Sequence, residues 1–311
     1  MKPPAVTGGT FDKLPAMLTG AHMSIAGGVD TSVARGTLVG CRTMQIFTKN
    51  ANQWKAAPLA DDVVRRFREE LDRSGITPVV SHDSYLINLA SPNAELREKS
   101  VAAFLDELER AEKLGLLGVV THPGAHVGEG EEAGLDRVAE SLRSILEATR
   151  SFRVNILIEN TAGQGTSLGW SMEHLAHLLR GVDGHARVGF CLDTCHLHAA
   201  GHDLTTDAGY EATIKAFDDA VGLDRLRCLH LNDSLKLFGS RVDRHTHIGQ
   251  GTLGEEPFGR IMRDGRLAGV PKILETPKEG EGVAEDRMNL ATLARLAAPP
   301  AGPGGKRKTR R

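Results

Sequence analysis

A chain of 311 residues, 40% hydrophobic and 25% charged, can bury a large core without staples, which excludes a disordered body. Its 4 cysteines, Cys41, Cys191, Cys195 and Cys228, are too few and too late for a small disulfide scaffold and suit a reducing cytosol. The net charge of −2 argues at first against nucleic acid, but it conceals an asymmetry: Gly304 to Arg311 carries +5, leaving 33 basic against 40 acidic residues in the body.

The segment 1–15 (MKPPAVTGGTFDKLP) lacks an apolar core of signal-peptide type, and no apolar run approaches the ~18 residues of a membrane helix. The expectation is a soluble, cytoplasmic protein, with no membrane partner and an irregular N-terminal extension. Eight short apolar, β-branched runs then recur, of the kind that form strands buried on both faces: Leu18–Ser24, Thr43–Thr48, Thr77–His82, Gly118–His122, Val154–Glu159, Arg187–Asp193, Leu226–Leu231 and Val270–Glu275. Helical patterns separate most of them. Asp61–Ser74 opens on acids and stops at Gly75; Asn93–Leu114 carries Val101, Phe104, Leu105 and Leu108; Leu135, Val138, Leu142, Ile145 and Leu146 form another stripe. Met172–Leu179, Gly209–Val221 and Glu256–Leu267 fill the later gaps. This alternation predicts an α/β fold, a single (β/α)8 TIM barrel over 16–297, followed by a disordered basic tail at 298–311. An open doubly wound sheet is the rival, but no G-x-G-x-x-G follows a predicted strand.

In such a barrel the chemistry sits at the C-terminal ends of the strands. Seven of the eight runs deliver a histidine or carboxylate there: His22, His82, His122, Glu159, Asp193, His230 and Glu275. Two loops add His196, in a D-x-x-H with Asp193, and the D-x-H pair Asp243 and His245, whose i, i+2 spacing lets both chelate one ion if the segment is extended. The candidate ligands are His82, His122, Glu159, Asp193, His196, His230, Asp243, His245 and Glu275. Mixed imidazole and carboxylate favours Zn, Mn or Fe over Mg or Ca. Nine ligands exceed one ion's needs, so two or three ions sharing a bridging carboxylate are implied, a constellation suited to phosphodiester hydrolysis. Cys191 and Cys195 read as small buried residues rather than a thiolate site. Lys49 reads as a phosphate or solvent contact rather than a Schiff base, and no Ser-His-Asp arrangement stands out.

These residues lie in long motifs: Ser81-His82-Asp83-Ser84-Tyr85-Leu86-Ile87-Asn88-Leu89, Thr121-His122-Pro123-Gly124, Ile158-Glu159-Asn160-Thr161-Ala162-Gly163-Gln164-Gly165, Cys191-Leu192-Asp193-Thr194-Cys195-His196, His230-Leu231-Asn232-Asp233-Ser234 and Gly239-Ser240-Arg241-Val242-Asp243-Arg244-His245. Through them the sequence resembles the endonuclease IV family of apurinic/apyrimidinic endonucleases, from Gly20 to Pro277. The resemblance implies a (β/α)8 barrel with three Zn2+ per chain, Mn2+ or Fe2+ being compatible replacements in part. It assigns His82 and His122 to a first ion, Glu159 as the bridge, Asp193, His230 and Glu275 to a second, and His196, Asp243 and His245 to a third. His247 competes with His245 on side-chain direction, but its place in the motif favours His245.

The implied reaction is hydrolysis of the phosphodiester 5′ to an abasic site in double-stranded DNA, with trimming of blocked 3′ ends. A metal-bridging hydroxide attacks phosphorus, with Glu159 catalytic. Metal stabilises the departing 3′-oxygen, leaving a 3′-hydroxyl and a 5′-deoxyribose phosphate. Three zincs would move the formal charge from −2 to +4 before bound hydroxide is counted, which reconciles an acidic body with a polyanion. An abasic sugar has no base to read, so recognition rests on bending and flipping. Tyr85 and Leu86 match side chains that the family inserts into the gap. Asn52 stands where better-known members carry arginine, a shorter and neutral substitute. Arg241 and Arg244 are expected at phosphates and His22 among the substrate contacts, in a protein expected to be monomeric. Two alternatives stay open: a sugar isomerase or epimerase on a related barrel, which leaves His196, Asp243 and His245 without a role, and a catalytically silent DNA-binding barrel.

Overall fold

A computed structural model describes residues 17–299. The proposed N-terminal extension and all but the first two residues of the basic tail lie outside the described residues.

The strands are β1 (Thr19–Met23), β2 (Thr43–Phe47), β3 (Val79–His82), β4 (Gly118–Thr121), β5 (Asn155–Glu159), β6 (Val188–Asp193), β7 (Leu226–His230), β8 (Asp233–Ser234), β9 (His245–Thr246) and β10 (Lys272–Leu274). The helices are α1 (Thr31–Val39), α2 (Asp61–Ser74), α3 (Ala94–Leu114), α4 (Glu131–Ala148), α5 (Met172–Gly181), α6 (Thr194–Ala200), α7 (Asp207–Val221), α8 (Glu256–Arg263) and α9 (Val283–Ala297). Strands β1 to β7 and β10 close a parallel barrel in the order β1-β10-β7-β6-β5-β4-β3-β2, so the rival open sheet is excluded. The remaining two strands, β8 and β9, form a small antiparallel pair above it.

Strand alternation divides the core in two. Outward-facing residues such as Val79, Val119, Ile156, Ile158, Phe190 and Leu192 pack against helix residues including Phe104, Leu108, Leu142 and Phe217. Inward-facing Val80, Val120, Leu157, Cys191, Cys228 and Ile273 form a second, fully buried cluster that fills the barrel. A side chain at Gly20 cannot be accommodated, because its Cβ would fall 1.7 Å from the Thr43 carbonyl oxygen.

The expected helices form where caps and stripes point. Asn93 caps α3 by accepting from the Leu96 N–H, and α4 buries Leu135, Val138, Leu142, Ile145 and Leu146. Three helices were not expected. α1 contains threonines, valines and Gly36 and has no side-chain cap, so its local propensity is low. α6 is only seven residues long. α9 buries Asp286 and Asn289 beside Leu293, which breaks the apolar stripe that would announce it. No described helix is long and apolar enough to cross a membrane.

Candidate metal centre

Each residue of the inner apolar cluster is followed, two positions later, by a candidate ligand. Val80, Val120, Leu157, Cys191, Cys228 and Ile273 precede His82, His122, Glu159, Asp193, His230 and Glu275. Side chains two apart on a strand share a face, so the residues that fill the barrel also direct the ligands above them, at the C-terminal rim. The strands β1 and β2 contribute His22 and Gln45, which are cross-strand partners.

The nine candidate ligands fall into three groups, and within each the ligand atoms lie within 4.8 Å of one another: His82 with His122 and Glu159; Glu159 with Asp193, His230 and Glu275; and His196 with Asp243 and His245. Glu159 belongs to two of them. Its Oε2 lies 3.4 Å from His82 Nε2 and 3.3 Å from His122 Nε2, while its Oε1 lies 3.0 Å from His230 Nδ1. Asp243 reaches His196 Nε2 with Oδ2 and His245 Nε2 with Oδ1, both at 3.1 Å. Asp193 caps α6 by accepting from the His196 N–H at 2.8 Å, so one short helix ties a ligand of the second group to one of the third.

The rings are oriented from behind. Nδ1 of His82 is 3.0 Å from the Asp83 carbonyl, Nδ1 of His196 is 2.9 Å from the Asn160 carbonyl, and Nδ1 of His245 is 3.3 Å from the Glu275 carbonyl. A carbonyl accepts only, so each Nδ1 is placed to donate and Nε2 is turned into the site. His230 is held the other way round: its Nε2 donates to Gln45 Oε1 at 2.8 Å, and Nδ1 faces Glu159 and Glu275.

Electrostatics fit a cation. Burial works against the charged imidazole at His82, His196 and His230, yet facing carboxylates and, at His230, Cys191 hold all three well above the usual range. At His245 the same opposition, led by the charge of Asp193, leaves the ring raised to about 9. Burial would raise Glu159 and Glu275, but the charge of His230 dominates and keeps both well below the usual carboxylate range. Among the nine candidate ligands, Glu159 Oε2 and His245 Nε2 are buried without a hydrogen-bond partner. An orphaned buried acceptor such as Glu159 Oε2 is costly, and a bound cation would satisfy it and would take the place of the proton on His245 Nε2. The donor set of imidazole nitrogen and carboxylate oxygen therefore fits zinc-type ions.

The groups lie at the bottom of a cleft of about 680 Å³ lined by His22, Phe47, Tyr85, His122, Arg244 and Glu275 among others. A neighbouring cleft of about 420 Å³ adds Leu86 and Gln164. Tyr85 is 69% exposed and meets Phe47 edge-on at 5.5 Å. His22 is bound into the site, 3.0 Å from Gln45 Nε2. Asn52 is exposed but lines neither cleft. Arg241 also lies outside both, its guanidinium 3.6 Å above the Trp170 ring. His247 is turned away toward Asn289, which leaves the third group to His245. Lys49 departs from its expected role as a phosphate or solvent contact. Its side chain is buried and paired with Asp106 at 2.6 Å and Glu107 at 3.0 Å. Cys191, Cys195 and the other two cysteines are buried; the thiols of Cys191 and Cys228 also come within 4.8 Å of His230, and that of Cys195 within 4.8 Å of Asp193 and His245.

The family model described as Xylose isomerase-like TIM barrel matches residues 37–294. The chain is 56% identical over 277 residues to the probable endonuclease 4 of Chloroflexus aurantiacus, covering 89% of this chain and 97% of that one. The crystal structure of endonuclease IV from Thermus thermophilus superposes with a TM-score of 0.79 at 40% identity, covering 89% of this chain and 98% of the other. The chain belongs to the endonuclease IV family. A D-tagatose 3-epimerase-like protein, at 19% identity and a TM-score of 0.68 over 89% of this chain and 98% of that one, shares the fold alone.

Within this endonuclease IV barrel, three amides escaped the sequence reading. Gln45 contacts both His230 and Glu275, its Nε2 donating to Glu275 Oε1 at 2.5 Å. Asn160 accepts from the Asp193 N–H at 2.7 Å through its side chain. Asn232 donates to Asp193 Oδ2 at 2.6 Å and accepts from the Glu275 N–H at 2.8 Å. Gln45 carried a usable signal, an amide set between the apolar Met44 and Ile46 of β2.

Proposed function

We propose that this endonuclease hydrolyses the phosphodiester 5′ to abasic sites in double-stranded DNA, leaving 3′-hydroxyl and 5′-deoxyribose phosphate ends, and that it also trims blocked 3′ ends. The observation that carries this reading is the sharing of Glu159 between two ligand groups, with a third group against them, at the bottom of one open cleft. His82, His122 and Glu159 would hold a first zinc ion, Glu159, Asp193, His230 and Glu275 a second, and His196, Asp243 and His245 a third, with Mn2+ or Fe2+ as partial substitutes. When bound, such ions supply Lewis acidity, making water nucleophilic near neutral pH and neutralising the phosphate and the departing oxygen.

The protein's own part is positioning. Glu159 presents its two carboxylate oxygens to different groups from one buried strand end. The carbonyls behind His82, His196 and His245 fix which ring nitrogen faces the cleft. Tyr85 stands exposed at the rim, where a ring can fill the space left by a missing base. Arg244, exposed and lining both clefts, is placed to meet a backbone phosphate. The same reading makes the protein a cytoplasmic monomer acting on DNA. The test is a direct comparison on one zinc-loaded preparation: nicking of an abasic duplex against epimerisation of a free ketose. Nicking without epimerisation supports the proposal; epimerisation without nicking overturns it.

A further inference from the structure

His196 and His245 are each fixed through Nδ1 to a backbone carbonyl. Asp243 is not. Among the described residues, its carboxylate has polar contacts only with those two histidines, and its side chain is 41% exposed. Where this carboxylate stands is therefore decided by the backbone that carries it.

That backbone is held by an unusual device. Arg241, two residues before Asp243, has φ at +56°, a conformation costly for a residue with a Cβ. Its guanidinium lies 3.6 Å above the Trp170 ring. The ring is itself anchored, because Trp170 Nε1 donates to Glu131 Oε1 at 2.9 Å in the first turn of α4. Gly163 passes beneath with φ at +72°; a Cβ there would come within 2.8 Å of Arg241 Nη1 and 2.9 Å of Trp170 Cβ. The Arg241 N–H donates to the Ala199 carbonyl at 2.9 Å, and the Asp243 N–H to Gln164 Oε1 at 3.0 Å. The segment leading to Asp243 is thus strapped to α4, to the β5–α5 loop and to α6.

We propose that Arg241 is a positioning residue for the metal centre rather than a phosphate contact. Stacked on Trp170, it sets the backbone that presents Asp243, and so governs how firmly the group of His196, Asp243 and His245 keeps its cation. This rests on the reading that this group holds one of three ions.

The test is zinc retention by the zinc-loaded full-length protein during dialysis against a mild chelator, measured by elemental analysis. Arg241→Ala and Trp170→Leu are expected to lose one of three zincs about tenfold faster than wild type, the scale on which supporting partners of metal ligands act. Arg241→Lys and Trp170→Phe keep a cation over an aromatic face and should fall closer to wild type. In Arg241→Ala, kcat on abasic duplex should fall with KM little changed, and excess zinc should restore it. Wild-type zinc retention in both Arg241→Ala and Trp170→Leu, or a raised KM with kcat intact in Arg241→Ala, would overturn the proposal. Asp243→Ala separates the two claims: a zinc count equal to wild type would remove the ion from this group altogether, and the strap with it.

Discussion

Cys228 and His230 stand two residues apart on β7, one closing the apolar interior of the barrel and the other placing Nδ1 3.0 Å from Glu159. The same step of two connects the filling of the barrel to its rim on β3, β4, β5, β6 and β10. One geometric rule therefore serves both stability and site construction, and it makes the rim sensitive to what lies beneath it.

Glu159 bears on two ligand groups at once, so removing one of its negative oxygens should affect both. Glu159→Gln is expected to lower nicking of an abasic duplex by at least roughly 100-fold and to reduce bound zinc, since even supporting partners of ligands act on a 10–100-fold scale. Full zinc content with near-normal activity would remove Glu159 from the centre.

Asn232 touches no candidate cation position directly, yet it holds Asp193 through its side-chain NH2 and the Glu275 N–H through its side-chain oxygen. Asn232→Ala should weaken zinc affinity by roughly 10–100-fold while leaving the barrel folded. Competition with a chromophoric chelator measures this, and an unchanged dissociation constant would contradict it.

Much of this was legible in the sequence because strand alternation is local. The nine candidate ligands sit at strand ends or in short spaced motifs, and the eight apolar runs separated by helical stripes point to the barrel. What was not legible depends on contacts between distant segments. Lys49 reads as a solvent or phosphate contact until α3 brings Asp106 to it, a partner 57 residues away. Arg241 reads as a phosphate contact until Trp170, carried by another loop, appears under it. Gln45 shows only as an amide between two apolar residues of a strand, and nothing local says that it meets both His230 and Glu275.

Lys272 is buried at the start of β10, where Nζ donates to the Leu267 carbonyl at 2.7 Å and the Val270 carbonyl at 3.0 Å. Burial pulls its pKa down to about 8. Between pH 8 and the ordinary lysine value near ~10.4, the unfolded chain therefore binds more protons than the folded one, and stability rises with pH. Below pH 8 the penalty is fully present and constant. The unfolding free energy of wild type relative to Lys272→Met should rise by roughly 1–3 kcal/mol across this window. A difference independent of pH would show that the amine titrates normally.

The segment 304–311 carries +5 and no acid. Its deletion should weaken DNA binding mainly at low salt and flatten the dependence of log K on log salt. Identical slopes for the full-length and shortened proteins would exclude a contact with phosphate.

The central claim is hydrolysis supported by a three-cation centre. Its most direct test is nicking of a labelled duplex holding one tetrahydrofuran abasic analogue by protein of measured zinc content. The analogue cannot undergo β-elimination, so hydrolysis alone yields a nick with a 3′-hydroxyl. The expected result is 5′-side cleavage that rises with zinc content up to three per chain. An intact duplex in the presence of protein carrying all three zincs would contradict it.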